Sequence, residues 1–163
     1  FRTMIPNKGS AITNYNDQRI TKIGFYLRKF KIDELPQLLN IIRGEMRFIG
    51  PRPEVKQYSN EEDFKFLKII KPGISDFASI LFRNEDNYMN VISGQNPYFK
   101  LLEVKTELAN YYAEKKSFQL DLFLTMLTVF AIFFPRLSSR ILIKNLPLKK
   151  LDKTDRFFKM YNV

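Results

Sequence analysis

Two adjacent acidic residues, Asp33 and Glu34, stand at the start of a predicted helix and could carry phosphate chemistry. The first turn of a helix has unpaired backbone N–H groups and the positive end of the helix dipole, and both favour ionised carboxylates. An ionised carboxylate can attack phosphorus as a nucleophile, and a neighbouring carboxylate can hold Mg²⁺. An ordinary helix cap with a salt bridge would use the same two residues, and the pair taken alone favours that interpretation.

Two arginines are candidates for binding phosphate. Arg52 lies between two prolines, which hold its backbone extended and so lower the entropy lost when the guanidinium grips a phosphate. A rigid turn with a solvated arginine is the equal alternative. Arg83 follows the apolar run 77–82 and could line a phosphate site, but taken alone it is better explained by an ion pair with the acidic residues after it.

The amino-acid composition restricts the available chemistry. The 163 residues include no Cys and no His, which excludes thiol nucleophiles, disulfides, Ser-His-Asp catalysis and His-ligated zinc. Catalysis must therefore rest on carboxylates, lysine, tyrosine or hydroxyls, with an oxygen-bound metal such as Mg²⁺ left open. Hydrophobic residues make up 45% and charged residues 27%, which is typical of a folded chain with one core.

Two helices are predicted around the acidic pair. Apolar spacing predicts a short basic helix over residues 20–30 and a clearer helix over residues 33–43, with Gly44 as its C-terminal cap. Asp33 is the expected N-cap of the second helix, and Pro36 is tolerated in its first turn. The expected buried face of this helix consists of Leu35, Leu38, Leu39 and Ile42.

The remaining elements are predicted from apolar runs and punctuation residues. We expect a short apolar segment running into a rigid loop at 45–53, a capped helix over 59–70, mixed loops over 74–97 and a helix over 98–116. The most apolar stretch, 118–134, is shorter than the roughly 20 residues that span a bilayer. It is therefore interpreted as a helix in or against the membrane interface, with a buried core helix as the alternative.

Positive charge is concentrated near the C-terminus. The net charge is +10, and residues 136–163 hold eight basic and two acidic residues. A basic segment after an apolar one indicates an anionic lipid surface or nucleic acid as partner. Nucleic acid is the weaker alternative, because the sequence contains no nucleic-acid-binding motif and its aromatic residues are not interleaved as a stacking platform.

Several motifs occur together in one order and spacing. They are F-R-T-M at 1–4, D-E-L-P-Q-L at 33–38, R-G-E-M at 43–46, G-P-R-P at 50–53, K-P-G-I at 71–74 and F-Q-L-D-L at 118–122. In this combination, over residues 1–134, the chain resembles the bacterial sugar transferase family. These are the monotopic polyprenyl-phosphate hexose-1-phosphate transferases, also called phosphoglycosyl transferases.

The resemblance implies a reaction and roles for its residues. Asp33 would be the nucleophile that displaces UMP from a UDP-sugar and carries the sugar-phosphate covalently until undecaprenyl phosphate accepts it. Glu34 and Asp33 would hold Mg²⁺, and Arg28, Arg52 and Arg83 would contact phosphates. The reaction would be the first step of lipid-linked glycan synthesis, for exopolysaccharide, capsule or O-antigen, at the cytoplasmic face of the bacterial inner membrane.

The expected fold is a compact, helix-rich α/β domain with amphipathic membrane-associated helices. We expect a catalytic domain over 1–135 without the family's N-terminal re-entrant membrane helix, so that the sequence is a piece of a longer chain, and a basic tail over 136–163. Inner-leaflet anionic lipids are expected partners, nucleic acid is not, and a homodimer is left open. A non-catalytic basic module that binds a membrane or nucleic acid is the alternative interpretation.

One segment departs from the family pattern and leaves the donor sugar open. Many members have T-G-L-A-Q-V-N-G-R where this chain has S-D-F-A-S-I-L-F-R over residues 75–83. Arg83 keeps the expected spacing. Asp76, Ser79 and bulky apolar groups replace the small and amide residues of the pattern, which indicates a subfamily.

Overall fold

The structure is helix-rich, with one small parallel sheet. The computed structural model describes residues 3–5, 19–52, 70–83 and 97–161 of the chain. Helices and a two-stranded parallel sheet together confirm the predicted helix-rich α/β class. Inter-residue contacts divide the chain into two units, residues 1–46 and residues 47–163.

The first unit begins with a short segment held against helix α1 (Lys22–Lys29), which confirms the helix predicted over 20–30. Met4 pairs with Ile20 in an antiparallel bridge, and the Thr21 backbone N donates to the Thr3 carbonyl oxygen at 3.1 Å. Thr21 also caps α1, because its hydroxyl accepts from the Gly24 backbone N at 2.9 Å. A Cβ at Gly24 would overlap the Thr3 carbonyl oxygen, so this close approach requires glycine.

Helix α2 (Gln37–Ile42) begins later than the sequence predicts, after a separate 3₁₀ turn over Ile32–Glu34. Asp33 therefore lies inside the turn and is not the N-cap of α2, a position occupied by Pro36. The reason is that proline has no N–H to donate and its ring excludes a regular helical bond four residues back. The C-terminal prediction is confirmed, because Gly44 follows the helix in a left-handed conformation with φ of 72°.

The buried face predicted for α2 is wrong. None of the residues of α2 is buried, and Leu39 and Ile42 are 56% and 81% exposed. Leu35 is also exposed, and Leu38 is only partly covered. Apolar spacing indicates that a face avoids water, but it does not specify that the covering surface belongs to the same chain.

The second unit contains the sheet, in which β1 (Arg47–Ile49) pairs in parallel with β2 (Gly73–Ser75). Strand β1 confirms the short apolar segment predicted within 45–53. Just after β1, Gly50 meets Gly73 so closely that a Cβ on Gly73 would overlap the Gly50 backbone. The two backbone segments can therefore lie this close only because neither glycine has a side chain.

In the part of the second unit that the structure describes, helices α3 to α7 each contribute buried side chains to the hydrophobic core. The prediction of a loop over 74–97 is wrong where α3 forms. The apolar run there has only five helical residues, which is too short to show a helical period. The helix predicted over 98–116 is confirmed by α4. Residues 53–69 and 84–96, including the helix predicted over 59–70, lie outside the described residues. The helices are α3 (Phe77–Leu81), α4 (Pro97–Lys115), α5 (Phe118–Phe133), α6 (Pro135–Asn145) and α7 (Asp152–Tyr161).

Helix α5 covers the apolar stretch and has one buried face and one exposed face. The buried face fits the core-helix alternative, and the membrane-interface interpretation stays a prediction. The buried face consists of Leu124, Leu127 and Ala131. No described helix is long and apolar enough to cross a membrane. The exposed face consists of Phe118, Leu122, Met126, Val129 and Phe133.

The segment predicted as a basic tail is helical and contributes to the core. Leu142 of α6 and Phe157 and Phe158 of α7 are buried in the same cluster as the side chains of α3 and α4. Glu107 of α4 caps α7, because its carboxylate accepts from the Thr154 backbone N at 2.8 Å and from the Thr154 hydroxyl at 2.6 Å. The division of the chain at residue 135 stays a prediction.

Candidate active site

The acidic pair lies on the 3₁₀ turn between α1 and α2. The turn is closed by bonds three residues apart, from the Glu34 backbone N to the Lys31 carbonyl and from the Leu35 backbone N to the Ile32 carbonyl, both at 3.2 Å. Successive side chains on such a turn project about 120° apart. The carboxylates of Asp33 and Glu34 therefore leave the backbone in different directions and can contact different groups of one ligand.

Lys31 fixes the geometry of the pair from the residue just before the turn. Its φ of 59° is left-handed, which is uncommon for a residue with a side chain and stores local strain. Its ammonium contacts Glu34 Oε1 at 3.1 Å, and Glu34 is 14% exposed. The Oδ1 atom of Asp33 is buried. Strained backbone beside half-buried carboxylates is typical of functional sites, where the surrounding structure maintains it.

Arg28 serves the first unit as a brace. Its Nε donates to the Thr3 hydroxyl at 2.9 Å, and its Nη2 lies 3.0 Å from the sulfur of Met4. The guanidinium thus fastens Thr3 and Met4 to α1. Sequence reasoning missed this contact, and the phosphate-binding role that the resemblance implies for Arg28 stays a prediction.

The donor atoms of the acidic pair fit Mg²⁺ as part of a shared site. No cluster of three or more Asp or Glu side chains occurs in the part of the chain that the structure describes. Mg²⁺ commonly takes one or two carboxylates and completes its shell with substrate phosphates and water. Asp33 and Glu34 offer that number and type of oxygen, so the chemistry of the residues present fits the ion.

The loop that carries Arg52 is held against the end of the sheet. The Gly50 backbone N donates to the Ser75 carbonyl at 3.0 Å, and Pro51 is fully buried. The Arg52 backbone N donates to Asp76 Oδ2 at 3.3 Å, while the Arg52 side chain is exposed. A guanidinium on a fixed backbone at an exposed position is suited to binding a phosphate.

Asp76 joins this loop to α3. Its Oδ1 accepts from the Ser79 backbone N at 2.7 Å and from the Ser79 hydroxyl at 2.6 Å, which caps the helix. Arg83 follows α3 and is partly buried. Sequence reasoning listed Asp76 as a departure from the family pattern and missed its capping role, although Asp directly before an apolar run is a helix-start signal.

A second polar network links β1 to α4 and α5. Asp121 accepts from Arg47 Nη2 at 3.0 Å and from the Tyr112 hydroxyl at 2.6 Å, and that hydroxyl lies 3.1 Å from the Ile49 carbonyl oxygen. Burial, followed by the hydrogen bond to Asp121, raises the pKa of Tyr112 above its ordinary value. Through its hydrogen bond to Ile49, the phenol holds β1, the strand that leads into the Arg52 loop.

The predicted site residues fall into two groups, one in each unit. In the first unit Asp33 and Glu34 share one turn, and Arg28 lies on α1. In the second unit Arg52 and Arg83 lie on the two segments that meet at Asp76 and α3. The catalytic, phosphate-binding and metal-binding roles of these residues stay predictions.

Similarity to known proteins defines the class to which this fold and these motifs belong. Residues 1–135 match the sequence profile described as bacterial sugar transferase. This match covers the acidic pair, the Gly-Pro-Arg loop and both strands. The chain belongs to the bacterial sugar transferase family.

Individual relatives agree with this assignment. The chain is similar to UDP-glucose:undecaprenyl-phosphate glucose-1-phosphate transferase of Escherichia coli, with 32% identity over 82% of this chain and 28% of the relative. It is 31% identical to an Aeromonas hydrophila UDP-N-acetylgalactosamine-undecaprenyl-phosphate N-acetylgalactosaminephosphotransferase, over 79% of this chain and 30% of the relative. An uncharacterized sugar transferase of Bacillus subtilis is 37% identical over 79% of this chain and 58% of the relative. The chain spans less than two thirds of the length of each of these relatives.

Proposed function

We propose that this chain is the catalytic part of a phosphoglycosyl transferase that moves a hexose-1-phosphate from a UDP-sugar to undecaprenyl phosphate. Family membership and the names of the E. coli and A. hydrophila relatives support the reaction class. The observation that carries the proposal is the Asp33–Glu34 pair, half-buried on a turn that directly follows the strained residue Lys31, inside the matched region. Such a pair has the oxygen chemistry for phosphoryl transfer in a chain without His or Cys.

Asp33 is the proposed nucleophile in a two-step exchange at phosphorus. Its carboxylate attacks the phosphorus that bears the sugar, the bridging P–O bond breaks, and UMP leaves with the bond's electron pair. The sugar-phosphate is then an acyl phosphate on Asp33. An oxygen of undecaprenyl phosphate next attacks the same phosphorus, the Asp33 carboxylate leaves, and the product is a diphosphate-linked sugar lipid.

Glu34 and Asp33 are the proposed Mg²⁺-holding residues. When bound there, Mg²⁺ would neutralise negative charge on the donor diphosphate. Lys31 keeps the Glu34 carboxylate oriented through their 3.1 Å contact. This contact is partly exposed, so its contribution to stability is small, and its proposed value is orientation.

Three arginines are the proposed phosphate contacts. Arg52 and Arg83 would neutralise charge on the donor diphosphate, because a guanidinium matches phosphate through two parallel hydrogen bonds. The exposed side chain of Arg52 on its held backbone supports this role most directly. Arg28 would assist from α1, next to the segment that it braces.

The exposed face of α5 is the proposed membrane contact, at the cytoplasmic face of the bacterial inner membrane where the lipid acceptor would be met. Its five large apolar side chains recur at intervals of three and four residues, from Phe118 to Phe133. Exposed cations stand at both ends, Lys115 and Lys116 before the helix and Arg136 and Arg140 after it. An apolar stripe between cations fits an anionic lipid surface, which the inner leaflet provides.

UMP release without any lipid acceptor tests the proposal. The protein, with any flanking sequence that its gene supplies, is mixed with Mg²⁺ and a panel of UDP-sugars. We expect a burst of about one UMP per protein with one donor, because the first half-reaction stops at the covalent intermediate. Asp33→Asn should remove the burst, and Glu114→Gln, a change of the same kind at an exposed site, should retain it.

The outcome separates the enzyme from the binding-module alternative. A burst that persists in Asp33→Asn would disprove the role of Asp33. No burst from a folded wild-type protein across a broad donor panel would reject the transferase and leave the non-catalytic membrane- or nucleic-acid-binding module.

A further inference from the structure

One buried side chain, that of Asp76, joins the loop that carries Arg52 to the helix that leads to Arg83. The residue is 7% exposed. Oδ2 accepts from the Arg52 backbone N at 3.3 Å, and Oδ1 accepts from the backbone N and the hydroxyl of Ser79 at 2.7 and 2.6 Å. Each oxygen of the carboxylate therefore binds a different segment of the chain.

Because Asp76 is buried, its carboxylate depends on the donors that surround it. A carboxylate away from water is costly unless donors surround it, and here three donors do so. If Asp76 lost Oδ2 as an acceptor, the Arg52 N–H would lose that partner, and the loop would lose its attachment to α3. The Ser79 bonds would persist, because they use the other oxygen.

We propose that Asp76 is a positioning residue that makes Arg52 and Arg83 act as one preorganised pair. The inference rests on the proposed function, in which both arginines bind the donor diphosphate. Asp76 holds the Arg52 backbone at the N-terminus of α3, and Arg83 follows the other end of this helix. Less conformational entropy is then lost when both guanidinium groups bind one ligand.

The position of Asp76 within the chain supports a role particular to this protein. Asp76 and Ser79 lie in the segment that departs from the family pattern described above, where a small residue and an amide are usual. The same two residues form the link to Arg52. The departure from the family pattern therefore coincides with the two residues that form this link.

Two variants separate positioning from helix capping. In Asp76→Asn the remaining side-chain oxygen can still accept from Ser79 and cap α3, but an NH₂ group replaces the oxygen that accepts from Arg52. Ser79→Ala is the matched control. It removes a hydrogen bond from the same carboxylate and leaves the bond to the Arg52 backbone N intact.

Amide exchange and UDP binding are measured on both variants. Hydrogen exchange of the Arg52 amide, followed by NMR, should become about tenfold faster in Asp76→Asn and stay near the wild-type rate in Ser79→Ala. UDP with Mg²⁺, titrated calorimetrically, should bind Asp76→Asn about three- to tenfold more weakly, the effect of one lost hydrogen bond. KM for the UDP-sugar should rise by the same factor with kcat nearly unchanged, and Ser79→Ala should match the wild type in both.

The possible failures are distinguishable. If Asp76→Asn binds UDP as tightly as the wild type, or more tightly, while Arg52→Ala binds it weakly, the positioning role is overturned. Equal loss of UDP affinity in Asp76→Asn and Ser79→Ala would also overturn it, since that result assigns the effect to capping. Failure of the wild type to bind UDP, with the Arg52 amide still exchanging faster in Asp76→Asn, contradicts the proposed function and removes the donor-positioning role with it.

Discussion

Individual polar side chains hold the segments that carry the candidate site. Arg28 braces the Thr3 segment, Asp76 holds the Arg52 loop, and Tyr112 and Asp121 hold β1. Each of these side chains contacts a partner distant in sequence. A buried or half-buried polar group has few alternative partners, so the loss of one member leaves the other without its native contact.

Replacing Tyr112 by Phe should reduce the loss of stability at high pH. Burial and the nearby Asp121 raise the pKa of Tyr112 in the folded protein above its value near 10 in the unfolded chain. This contribution to stability is complete below pH 10 and is lost as the pH rises towards the folded-state pKa, because the unfolded chain releases the phenol proton first. From about pH 9 to pH 11, wild-type unfolding free energy should fall by about 1 kcal/mol more than that of Tyr112→Phe, measured by urea unfolding.

Tyr26→Phe is the matched control for this experiment. Tyr26 lies on α1 with an exposed side chain, so its replacement should reproduce the wild-type dependence on pH. Parallel curves for the wild type and Tyr112→Phe would contradict the role of burial at Tyr112.

At the scale of elements, sequence periodicity predicted helices better than it predicted which of their faces are buried. Helices α1 and α4 lie where apolar spacing predicts them, and α5 lies in the continuous apolar stretch that was interpreted as a helix. The predicted buried face of α2 is exposed, and α5 exposes one apolar face while burying the other. Periodicity depends on local spacing, whereas burial depends on what packs against the element.

The exposed face of α5 gives a prediction at this scale. Met126 lies at its centre and is 65% exposed. Burying such a side chain in lipid contributes about 1.5–3 kcal/mol, so Met126→Glu should weaken binding to phosphatidylglycerol-containing vesicles about tenfold or more. Co-sedimentation at several lipid concentrations measures the change.

Gln119→Glu is the control, because it adds the same charge at an exposed position of the same helix. Its effect on vesicle binding should stay within about twofold, since no apolar side chain is lost. Equal weakening by the two changes would attribute binding to charge and would contradict an apolar membrane contact through α5.

At the scale of the whole molecule, the family match and the hydrophobic core cover different ranges of residues. The match ends at residue 135, but α6 and α7 supply buried side chains to the same core. The family pattern therefore records the part of the chain that is shared with relatives. It does not define the part that folds alone.

Truncation after residue 135 should prevent cooperative folding of the second unit. The shortened chain loses Leu142, Phe157 and Phe158 from the core. Glu107 also loses its hydrogen bond from the backbone N of Thr154 in α7. Losing even one large core side chain costs about 2–5 kcal/mol, which is comparable with the whole stability of a domain. Urea unfolding followed by circular dichroism should show a broad, non-cooperative transition.

Lys144→Gln in the full chain is the comparison, since this exposed lysine of α6 lies outside the core. It should unfold within about 0.5 kcal/mol of the wild type. A truncated chain with a sharp transition of its own would establish residues 1–135 as an independent domain, as the sequence predicts.

The sequence by itself determined the type of chemistry and the main helices. Without His or Cys, only oxygen and nitrogen groups such as those of Asp33, Glu34 and Arg52 remain for phosphate chemistry. Spacing within one segment was enough to predict α1 and α4, because helix formation depends on residues three and four apart. Gly44 could be predicted as a cap for the same local reason.

Only the tertiary structure decided which distant groups meet. Arg47 and Asp121 are 74 residues apart, and Asp76 and Arg52 are 24 apart, so no local pattern encodes either contact. The same holds for the packing of 136–161 into the core and for the exposed face of α2. Such features depend on how complete elements fit together, because burial and long-range hydrogen bonds form only when the chain brings separate segments into contact.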